Sequence, residues 1–279
     1  MSTMAIAIVT DAAASLPAEL VDRYGITVVP MWLNVRGVPV RSGERPLEEL
    51  VTEEDISTSG PSPGEFTSAI EANSPAEGVV VLTIASTMSS THQAALLAAK
   101  NSEQLVRVVD TGTAAGAEGL VVLAAAQQAA RGGDLDSVEA AANEAIARVR
   151  LVATVPSLDH LVRSGRVPNI AGWAGRRLNI NPLFEFRDGE AKRLRPSMSR
   201  EAALERIVHI WRRSRVEGAD LHVAALHALA PDVAADLMAE VTSEIEPATA
   251  FVGEFGSVMV VHTGPGLAGL AWWWEGPNG

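Results

Sequence analysis

Several residue types are scarce or absent in this chain, and each absence excludes a class of chemistry. There is no cysteine, which excludes disulfides, thiolate nucleophiles and cysteine-ligated zinc. Lysine occurs only at Lys100 and Lys192, and neither follows a glycine, so the chain has no Walker A loop for binding ATP. No uncharged apolar run approaches the ~18 residues of a membrane span. The N-terminus has no basic segment of the kind that begins a signal peptide.

The charge balance is strongly acidic. The 22 basic and 34 acidic residues give a formal net charge of −12 at pH 7. A surface this negative repels nucleic-acid phosphates and anionic lipid headgroups, so we expect no nucleic-acid partner and no stable membrane insertion. Hydrophobic residues make up 47% of the 279 positions, which is enough for a sizeable core. The sequence therefore predicts a globular, cytoplasmic protein of about two domains, at ~150 residues per domain.

Strand-like and helical segments alternate in the first half of the chain. Apolar, β-branched runs predict strands at residues 5–9, 26–33, 79–85 and 105–109. Helical patterns are expected at 17–24, 46–53, 63–73, 89–101 and 114–131, followed by a helix that ends near Arg150. Such alternation is typical of layered α/β domains, and the run at 79–85 favours a parallel strand covered on both faces. We expect an N-terminal α/β/α domain with a mainly parallel sheet over residues 1–152.

The second half predicts a different arrangement. Asp188 and Gly189 separate strand-like segments at 183–187 and 191–195, which is a strong signal for a type I′ hairpin. Further helices are expected at 156–163, 200–216 and 231–242, and further strands at 151–155, 221–226, 249–252 and 257–262. Helices combined with a partly antiparallel sheet predict a C-terminal α+β domain with a mixed sheet over residues 153–279.

Two glycine motifs match functional patterns but lack the context that those patterns need. Residues 60–64 fit the G-x-S-x-G nucleophile elbow, yet 55–59 is not predicted as a strand and Pro63 has no N–H for an oxyanion hole. Residues 264–269 fit G-x-G-x-x-G after a predicted strand, but only ten residues follow, too few for a dinucleotide fold. We expect a loop that opens a helix at Pro63, and a tight turn with close backbone approach at 264–269.

The histidines and tryptophans favour structural roles. His222 and His227 lie on one predicted strand at a spacing that places them on opposite faces of the sheet, and the other four histidines are scattered. We therefore expect no metal and no resident cofactor. The triple tryptophan at 272–274 is expected to pack in the core and not to line a ligand site.

Three polar clusters follow predicted structural elements at positions where open α/β sheets place their ligands. They are Thr58 with Ser59, the hydroxyl-rich run 86–91, and His262 with Thr263. Hydroxyls and unpaired backbone N–H groups at a helix N-terminus favour an anion. Serine and threonine are also ordinary helix caps, and a lone histidine is more often structural, so the indication rests on the combination. Together the clusters predict a small-anion site.

Motifs of one known family occur in order along nearly the whole chain. IVTD at 8–11 is similar to the family's opening, with Ala12 in place of a serine. TSGPS at 58–62 resembles T-S-Q-P-[ST], and IASTMSSTHQ at 84–93 resembles I-S-S-G-L-S-G-T-Y-Q. VDT at 109–111, LVRSGRV at 161–167 and VHTGPGLAG at 261–269 resemble the remaining blocks. On these motifs the chain resembles the DegV family, the fatty-acid-binding subunits of bacterial fatty acid kinase.

The resemblance implies two α/β domains with a fatty acid buried between or beneath them. Carried over by motif position, the groups that hold the carboxylate are the hydroxyls of Thr58 and Ser89, the backbone N–H of Ser90, and His262. Arg166 corresponds to a family arginine near the pocket mouth, on the side where the partner kinase docks. Ser90 stands where the family has glycine, and Ser197 where it has a second arginine.

We interpret the chain as a lipid-binding carrier and not as an enzyme by itself, because it offers no phosphate cradle. A tail of about 15 methylenes at ~0.8 kcal/mol each contributes roughly 12 kcal/mol of gross burial energy, while a few hydrogen bonds fix the carboxylate. The implied partners are a long-chain fatty acid and the catalytic subunit of an ATP-dependent fatty acid kinase, which forms the acyl phosphate. Two alternatives stay open: an acyl hydrolase using Ser89, His262 and Asp110, and a carrier of a different hydrophobic carboxylic acid.

Overall fold

The computed structural model describes residues 6–51, 53, 55–165 and 181–276. Within these ranges the strands are, in chain order, β1 (Ile6–Asp11), β2 (Thr27–Val29), β3 (Trp32–Val35), β4 (Val38–Arg41), β5 (Ile56–Ser59), β6 (Gly78–Thr83), β7 (Val106–Asp110), β8 (Arg150–Thr154), β9 (Leu183–Arg187), β10 (Glu190–Arg193), β11 (Asp220–His227), β12 (Thr249–Glu254) and β13 (Ala268–Glu275). The helices are α1 (Ala18–Tyr24), α2 (Leu47–Leu50), α3 (Pro63–Ala72), α4 (Thr91–Lys100), α5 (Ala115–Ala130), α6 (Leu135–Arg148), α7 (Asp159–Ser164), α8 (Arg200–Arg213), α9 (Pro231–Glu244) and α10 (Ser257–Thr263). None of the helices in these ranges is long and apolar enough to cross a membrane.

The first sheet is parallel and has the strand order β2-β1-β6-β7. Its central strands β1 and β6 are buried along their whole length, as expected of a parallel sheet covered on both faces. Helices α3 and α4 pack on one face, where Phe66 and Ala95 are buried against β1 and β6. Helices α5 and α6 cover the other face. The expected α/β/α arrangement around a mainly parallel sheet is confirmed.

The second sheet is mixed and has the order β10-β9-β8-β13-β11-β12. Strands β11 and β12 run parallel, and the other neighbours are antiparallel. The β9–β10 hairpin turns at Asp188 (φ +56°) and Gly189 (φ +73°), the two positive values of a type I′ turn. Strand β13, in the middle of the sheet, carries the three tryptophans 272–274, and all three are buried. The predicted mixed sheet and its hairpin are confirmed, and the tryptophans are core residues.

Helix α5 lies between the two sheets and joins them. It contacts β1 of the first sheet and β11 of the second, and it is buried along most of its length. Helix α5 packs closely against the segment that follows β1. This packing requires glycine at position 119, because a Cβ there would lie 2.6 Å from the carbonyl oxygen of Ala14. One apolar core therefore runs through both halves of the chain. Residue 152 lies within β8 of the second sheet, and the division into domains 1–152 and 153–279 stays a prediction.

The sequence does not predict the third sheet, which is antiparallel with the order β4-β3-β5. The single strand predicted at 26–33 is wrong: β2 and β3 belong to different sheets, because Pro30 has no N–H with which to continue a ladder. Segment 55–59, expected to be a loop, contains β5. Its sequence ISTS has one apolar residue and is half exposed. The segment is therefore a strand because it pairs with β3, and not because its hydrophobic pattern favours one.

The strand predicted at 257–262 is also wrong, because this segment forms helix α10. The run SVMVVHT is rich in β-branched residues, which favour a strand locally. Gly256 is the N-cap of the helix, Gly264 with φ +75° ends it, and residues 258–260 are all buried. Five of the seven residues of α10 are buried, and a largely enclosed helix is stable inside a core, so tertiary burial overrides the local preference. The G-x-G-x-x-G segment therefore follows a helix and not a strand.

Candidate functional site

A narrow cavity lies where β5, the end of β6, and helices α7 and α10 meet. Its apolar wall consists of Met31, Ile84, Met88, Leu161, Val258 and Met259. Its polar residues are Thr58, Ser59, Ser89, Ser164, His262 and Thr263. The cavity measures about 50 Å³. Three residues expected to hold an anion therefore line one cavity, namely Thr58, Ser89 and His262.

Thr58 and His262 make a direct polar contact across this site. Thr58 Oγ1 lies 2.7 Å from His262 Nε2. Thr58 is on strand β5 and His262 is in the last turn of α10, whereas the sequence predicts a loop for the first and a strand end for the second. In this contact one group donates to the other, and each can donate to a carboxylate oxygen when the ligand takes the other's place. The pair is suited to hold the anionic end of a ligand.

The start of helix α4 places Ser89. Its Oγ lies 2.7 Å from Thr91 Oγ1 and accepts a hydrogen bond from the Thr91 N–H at 3.3 Å. Gly60, which follows β5, lies against this pair of hydroxyls. A Cβ at position 60 would be 2.6 Å from Thr91 Oγ1 and 3.2 Å from Ser89 Oγ. Glycine at this position therefore lets β5 approach α4 and brings Thr58 and Ser89 to the same cavity.

Two aspartates hold the loop between β6 and α4. Asp11, at the end of β1, accepts a hydrogen bond from the Ile84 N–H at 2.9 Å. Asp110, at the end of β7, accepts one from the Ser86 N–H at 3.2 Å. Neither role is predicted from the sequence. The signal was present, however, because each aspartate ends a strand in a family motif, V-T-D and V-D-T.

Asp11 and Glu118 form a buried acidic pair. Burial raises the pKa of Asp11 to about 6, against the opposing effect of its hydrogen bonds from Ile84 and Ala13. Burial, and after it the nearby charge of Asp11, raises the pKa of Glu118 well above its usual value. The Thr10 hydroxyl lies 3.5 Å from Glu118 Oε1, and Oε2 has no hydrogen-bond partner among the described residues. Neither carboxyl lines the cavity, and their raised pKa values make the stability of the fold depend on pH.

The glycines that follow α10 make room for groups at and before α7. Gly264 has φ +75°, and a Cβ there would lie 2.6 Å from His160 Cδ2. Gly266 has φ +85°, and a Cβ there would lie 2.8 Å from Pro156 Cγ. The tight turn with close backbone approach is confirmed, and it packs α10 and His262 against α7.

The remaining residues that the sequence singles out are Ser90, Arg166 and Ser197. Ser90 is exposed, is the N-cap residue of α4, and is not among the residues that line the cavity. Arg166 lies outside the described residues. Ser197 is buried, forms a bridge with Asn181, and donates its hydroxyl to the carbonyl of Ala202 at 3.2 Å. Its contacts are those of a structural residue.

The hydrogen bonds of the described residues do not link Ser89, His262 and Asp110 as a catalytic triad. Asp110 accepts from the backbone N–H groups of Ser86 and Gly112. The Ser89 hydroxyl contacts Thr91, and the His262 ring contacts Thr58. Each of the three side chains therefore has its own set of partners among the described residues.

The G-x-S-x-G segment is a helix cap. A strand does precede it, contrary to the expectation, since β5 ends at Ser59. Ser62 accepts from the Glu65 N–H at 3.3 Å and donates its hydroxyl to Glu65 Oε2 at 2.8 Å. Pro63 is the first residue of α3, so this position has no N–H to donate. The motif opens α3, as expected.

The two strand histidines lie on β11. His222 stacks on Trp273 with ring centroids 4.3 Å apart, and its two nitrogens contact Thr249 and Glu275. Burial lowers the pKa of His222, against the opposing effect of Glu275. In the part of the chain that the structure describes, no group of His, Asp and Glu side chains is arranged to hold a metal ion.

Comparisons with known proteins agree with one another. The sequence profile of the DegV family of uncharacterised proteins matches residues 5–275. A DegV domain-containing protein of Streptomyces coelicolor is 35% identical over 280 residues, covering 95% of this chain and 97% of that protein. A Thermotoga maritima protein named fatty acid-binding protein is 27% identical, covering 96% and 97%. The structure of a DegV family protein from Thermus thermophilus, described by its fatty acid binding, has a TM-score of 0.89 and 31% identity, covering 97% of this chain and 100% of that one.

Proposed function

The chain belongs to the DegV family, and on this premise we propose that it binds a long-chain fatty acid in the cavity beside β5 and α10. One observation carries the proposal: Thr58, Ser89 and His262 line one cavity together with six apolar side chains, and Thr58 contacts His262. The Thermus thermophilus and Thermotoga maritima relatives, which are described as binding fatty acids, support it.

The two ends of the ligand have different tasks. The carboxylate accepts hydrogen bonds from Thr58, Ser89 and His262, with the Ser90 N–H at the start of α4 as a further donor. Each hydrogen bond to a charged group is worth about 1.5–3 kcal/mol. A tail of about 15 methylenes contributes roughly 12 kcal/mol gross. The tail therefore supplies most of the affinity, and the carboxylate fixes the position of the ligand.

Methionines make the apolar wall adaptable. The cavity of about 50 Å³ has room for a few water molecules at most and not for an acyl tail. Met31, Met88 and Met259 line it, and methionine side chains are flexible enough to repack around an incoming group. The tail enters by moving these side chains, so tails of different length or shape are accepted by one backbone.

The same proposal extends to a partner. The chain presents the bound carboxylate to an ATP-dependent fatty acid kinase, with Arg166 at the pocket mouth, and remains without chemistry of its own. We place the protein in the cytoplasm, and we assign Thr58 and Ser89 to a domain of residues 1–152 and His262 to a domain of residues 153–279.

Mass spectrometry of an organic extract tests the proposal directly. Protein purified from a bacterial host should release a long-chain fatty acid, and the delipidated protein should bind added palmitate. His262→Ala should weaken this binding, while His209→Ala, at an exposed position of α8, should not.

Other outcomes of the same experiment identify the alternatives. A different hydrophobic acid in the extract, with no binding of palmitate, favours a carrier of that acid. Ester turnover that Ser89→Ala abolishes favours a hydrolase. An extract free of acyl species, together with no binding of added fatty acids, contradicts the carrier function.

A further inference from the structure

The loop that carries Ser89 is held by the tip of the β9–β10 hairpin. Thr87, two positions before Ser89, donates its hydroxyl to the carbonyl oxygen of Gly189 at 2.7 Å. The two residues are 102 positions apart. Thr87 belongs to the loop after β6, and Gly189 belongs to the turn of a hairpin in the second sheet. The contact therefore joins the loop of the candidate site to an element of the other half of the chain.

Further hydrogen bonds tie the hairpin tip to the same region. The Gly189 N–H donates to the carbonyl oxygen of Gly112 at 2.7 Å. The Gly112 N–H donates to Asp110 Oδ1 at 2.9 Å, and Asp110 also accepts from the N–H of Ser86, the residue before Thr87. Together with the Thr87–Gly189 contact, these hydrogen bonds form a closed ring, which we call the hairpin clasp.

Glycine at the hairpin tip allows this close approach. Gly189 is buried, and a Cβ there would lie 3.0 Å from Thr87 Oγ1. Thr87, in contrast, stands where the motif I-S-S-G-L-S-G-T-Y-Q has its first glycine, and glycine has no side chain with which to make this contact. The side-chain part of the clasp is therefore a feature of this chain's own sequence and not of the motif.

The clasp holds a part of the loop that does not itself line the cavity. Met88 and Ser89 line the cavity, whereas Thr87 does not. The N–H groups of Met88 and Ser89 both donate to the carbonyl oxygen of Ala85, at 2.9 and 3.3 Å, so residues 85–89 form one tight turn. Fixing Thr87 in this turn limits the positions that the Ser89 side chain can take. A donor that is already in place loses less conformational freedom when a carboxylate binds, which raises the affinity.

We propose that Thr87 is a positioning residue for the carboxylate of the ligand. Through the clasp it holds Ser89 where the Ser89 hydroxyl meets the carboxylate, and Thr87 itself does not touch the ligand. The inference rests on the proposed function, because it concerns the site at which the fatty acid is held. Coupling between two sites is reciprocal, so a bound carboxylate also stabilises the clasp and protects the hairpin tip.

Palmitate titrations of a double-mutant cycle test this role in delipidated protein. Thr87→Val should weaken palmitate binding by about three- to tenfold, the size of one neutral hydrogen bond. Thr87→Ser keeps the hydroxyl and should bind palmitate within about twofold of the wild type. In a Ser89→Ala background, Thr87→Val should have no further effect, because Thr87 acts through Ser89. Thr242→Val is the matched control, since Thr242 is also exposed and donates its hydroxyl to a backbone carbonyl, but within α9.

Hydrogen exchange of the hairpin tip gives a second readout, which a general loss of stability would not change in the same way. Palmitate should slow the exchange of the Gly189 N–H by about three- to tenfold in the wild type, the same factor by which the clasp raises the affinity. The effect of palmitate should be less than about twofold in Thr87→Val and should match the wild type in Thr242→Val.

The outcomes distinguish this inference from the proposed function. If the wild type binds palmitate and Thr87→Val binds it as tightly, Thr87 has no positioning role and the fatty-acid site stands. The same holds if Thr87→Val weakens binding equally with and without Ser89, or if Thr87→Ser binds no better than Thr87→Val. Equal protection of the Gly189 N–H by palmitate in the wild type and in Thr87→Val also overturns the inference. If the wild type does not bind palmitate, the proposed function itself fails, and the inference fails with it.

Discussion

Thr58 and His262 are 204 positions apart in the chain, yet Thr58 Oγ1 lies 2.7 Å from His262 Nε2. The contact joins the three-stranded sheet, through β5, to helix α10. It lies between the apolar cavity and an open groove that Thr58, His262 and helix α7 also line. Changes to this pair should therefore alter how a headgroup is held more than how a tail is buried.

Replacing Thr58 by valine removes the hydroxyl and keeps the branched shape. We expect fatty-acid affinity to fall by roughly ten- to a hundredfold, which corresponds to the loss of one hydrogen bond to a charged group at about 1.5–3 kcal/mol. Titration with palmitate, together with the melting temperature, measures both binding and folding. Thr242→Val is the control, because Thr242 is exposed on α9 and its hydroxyl bonds within that helix. Equal affinity for the two variants would remove Thr58 from the site.

Gly60→Ala tests the approach of β5 to α4. The added Cβ overlaps Thr91 Oγ1, which is buried, so we expect a loss of about 1–3 kcal/mol in the free energy of unfolding and weaker fatty-acid binding. Gly64→Ala is the matched control, because its Cβ meets nothing nearer than Ser62 Oγ at 3.9 Å. Alanine in the first turn of α3 should be neutral or stabilise by up to about 1 kcal/mol. Urea unfolding of both variants gives the comparison, and equal stabilities would contradict it.

Because Asp11 and Glu118 are buried acids with raised pKa values, we expect the free energy of unfolding to fall as the pH rises. A carboxyl whose pKa is raised by folding holds its proton more tightly in the folded chain. For Asp11 this stabilisation is complete below its unfolded value of 3.8 and is lost as pH rises through about 6. A shift of about two pKa units corresponds to about 3 kcal/mol. Glu118, whose pKa is also raised, extends the decline to higher pH.

Glu118→Gln should flatten this profile on its alkaline side. Glutamine resembles the protonated acid, so the variant should match the wild type at low pH and exceed it in free energy of unfolding as the pH rises, because the raised pKa of Glu118 makes its ionisation costly in the folded chain. Exposed Glu246→Gln is the control and should follow the wild type. Urea unfolding at a series of pH values measures the effect. A profile as steep for Glu118→Gln as for the wild type would show that Glu118 does not contribute.

Some elements are predicted correctly because the residues that determine them lie within the element itself. The hairpin needs two residues of positive φ, and Asp188–Gly189 supplies them in consecutive positions. Strand β6 is a short, valine-rich run, which is typical of a parallel strand covered on both faces. Helix α8 begins at a serine cap, since Ser199 accepts a hydrogen bond from the Ala202 N–H. Each of these can be read without knowing which other segment it contacts.

The errors occur where a distant segment decides the structure. Strand β5 is polar and becomes a strand only by pairing with β3. Helix α10 is β-branched and is a helix only because it is enclosed. The candidate site depends on both elements. Thr58 and His262 are predicted as site residues from the polar clusters and the family motifs, but the contact between them is not predicted from the sequence. The anchoring by Asp11 and Asp110 and the packing of Gly60 likewise require the three-dimensional arrangement.

The turn after α10 provides the last prediction. Gly264 has φ +75° and ψ 166°, a region that is nearly restricted to glycine and costs other residues of order 1–3 kcal/mol. A Cβ there also overlaps the His160 ring. Gly264→Ala should therefore lower the melting temperature and, in the fraction that remains folded, weaken palmitate binding, because His262 lies just before the turn.

Gly218→Ala separates backbone strain from the contact with His160. Gly218 also has φ +75°, and a Cβ there meets nothing within 4 Å, so this variant should lose stability but keep wild-type affinity for palmitate. Adding His160→Ala to Gly264→Ala removes the overlap and should recover part of the lost stability, whereas adding it to Gly218→Ala should not. Thermal unfolding of the two double variants measures this coupling. If His160→Ala changes both backgrounds by the same amount, the His160–Gly264 contact does not hold α10 against α7.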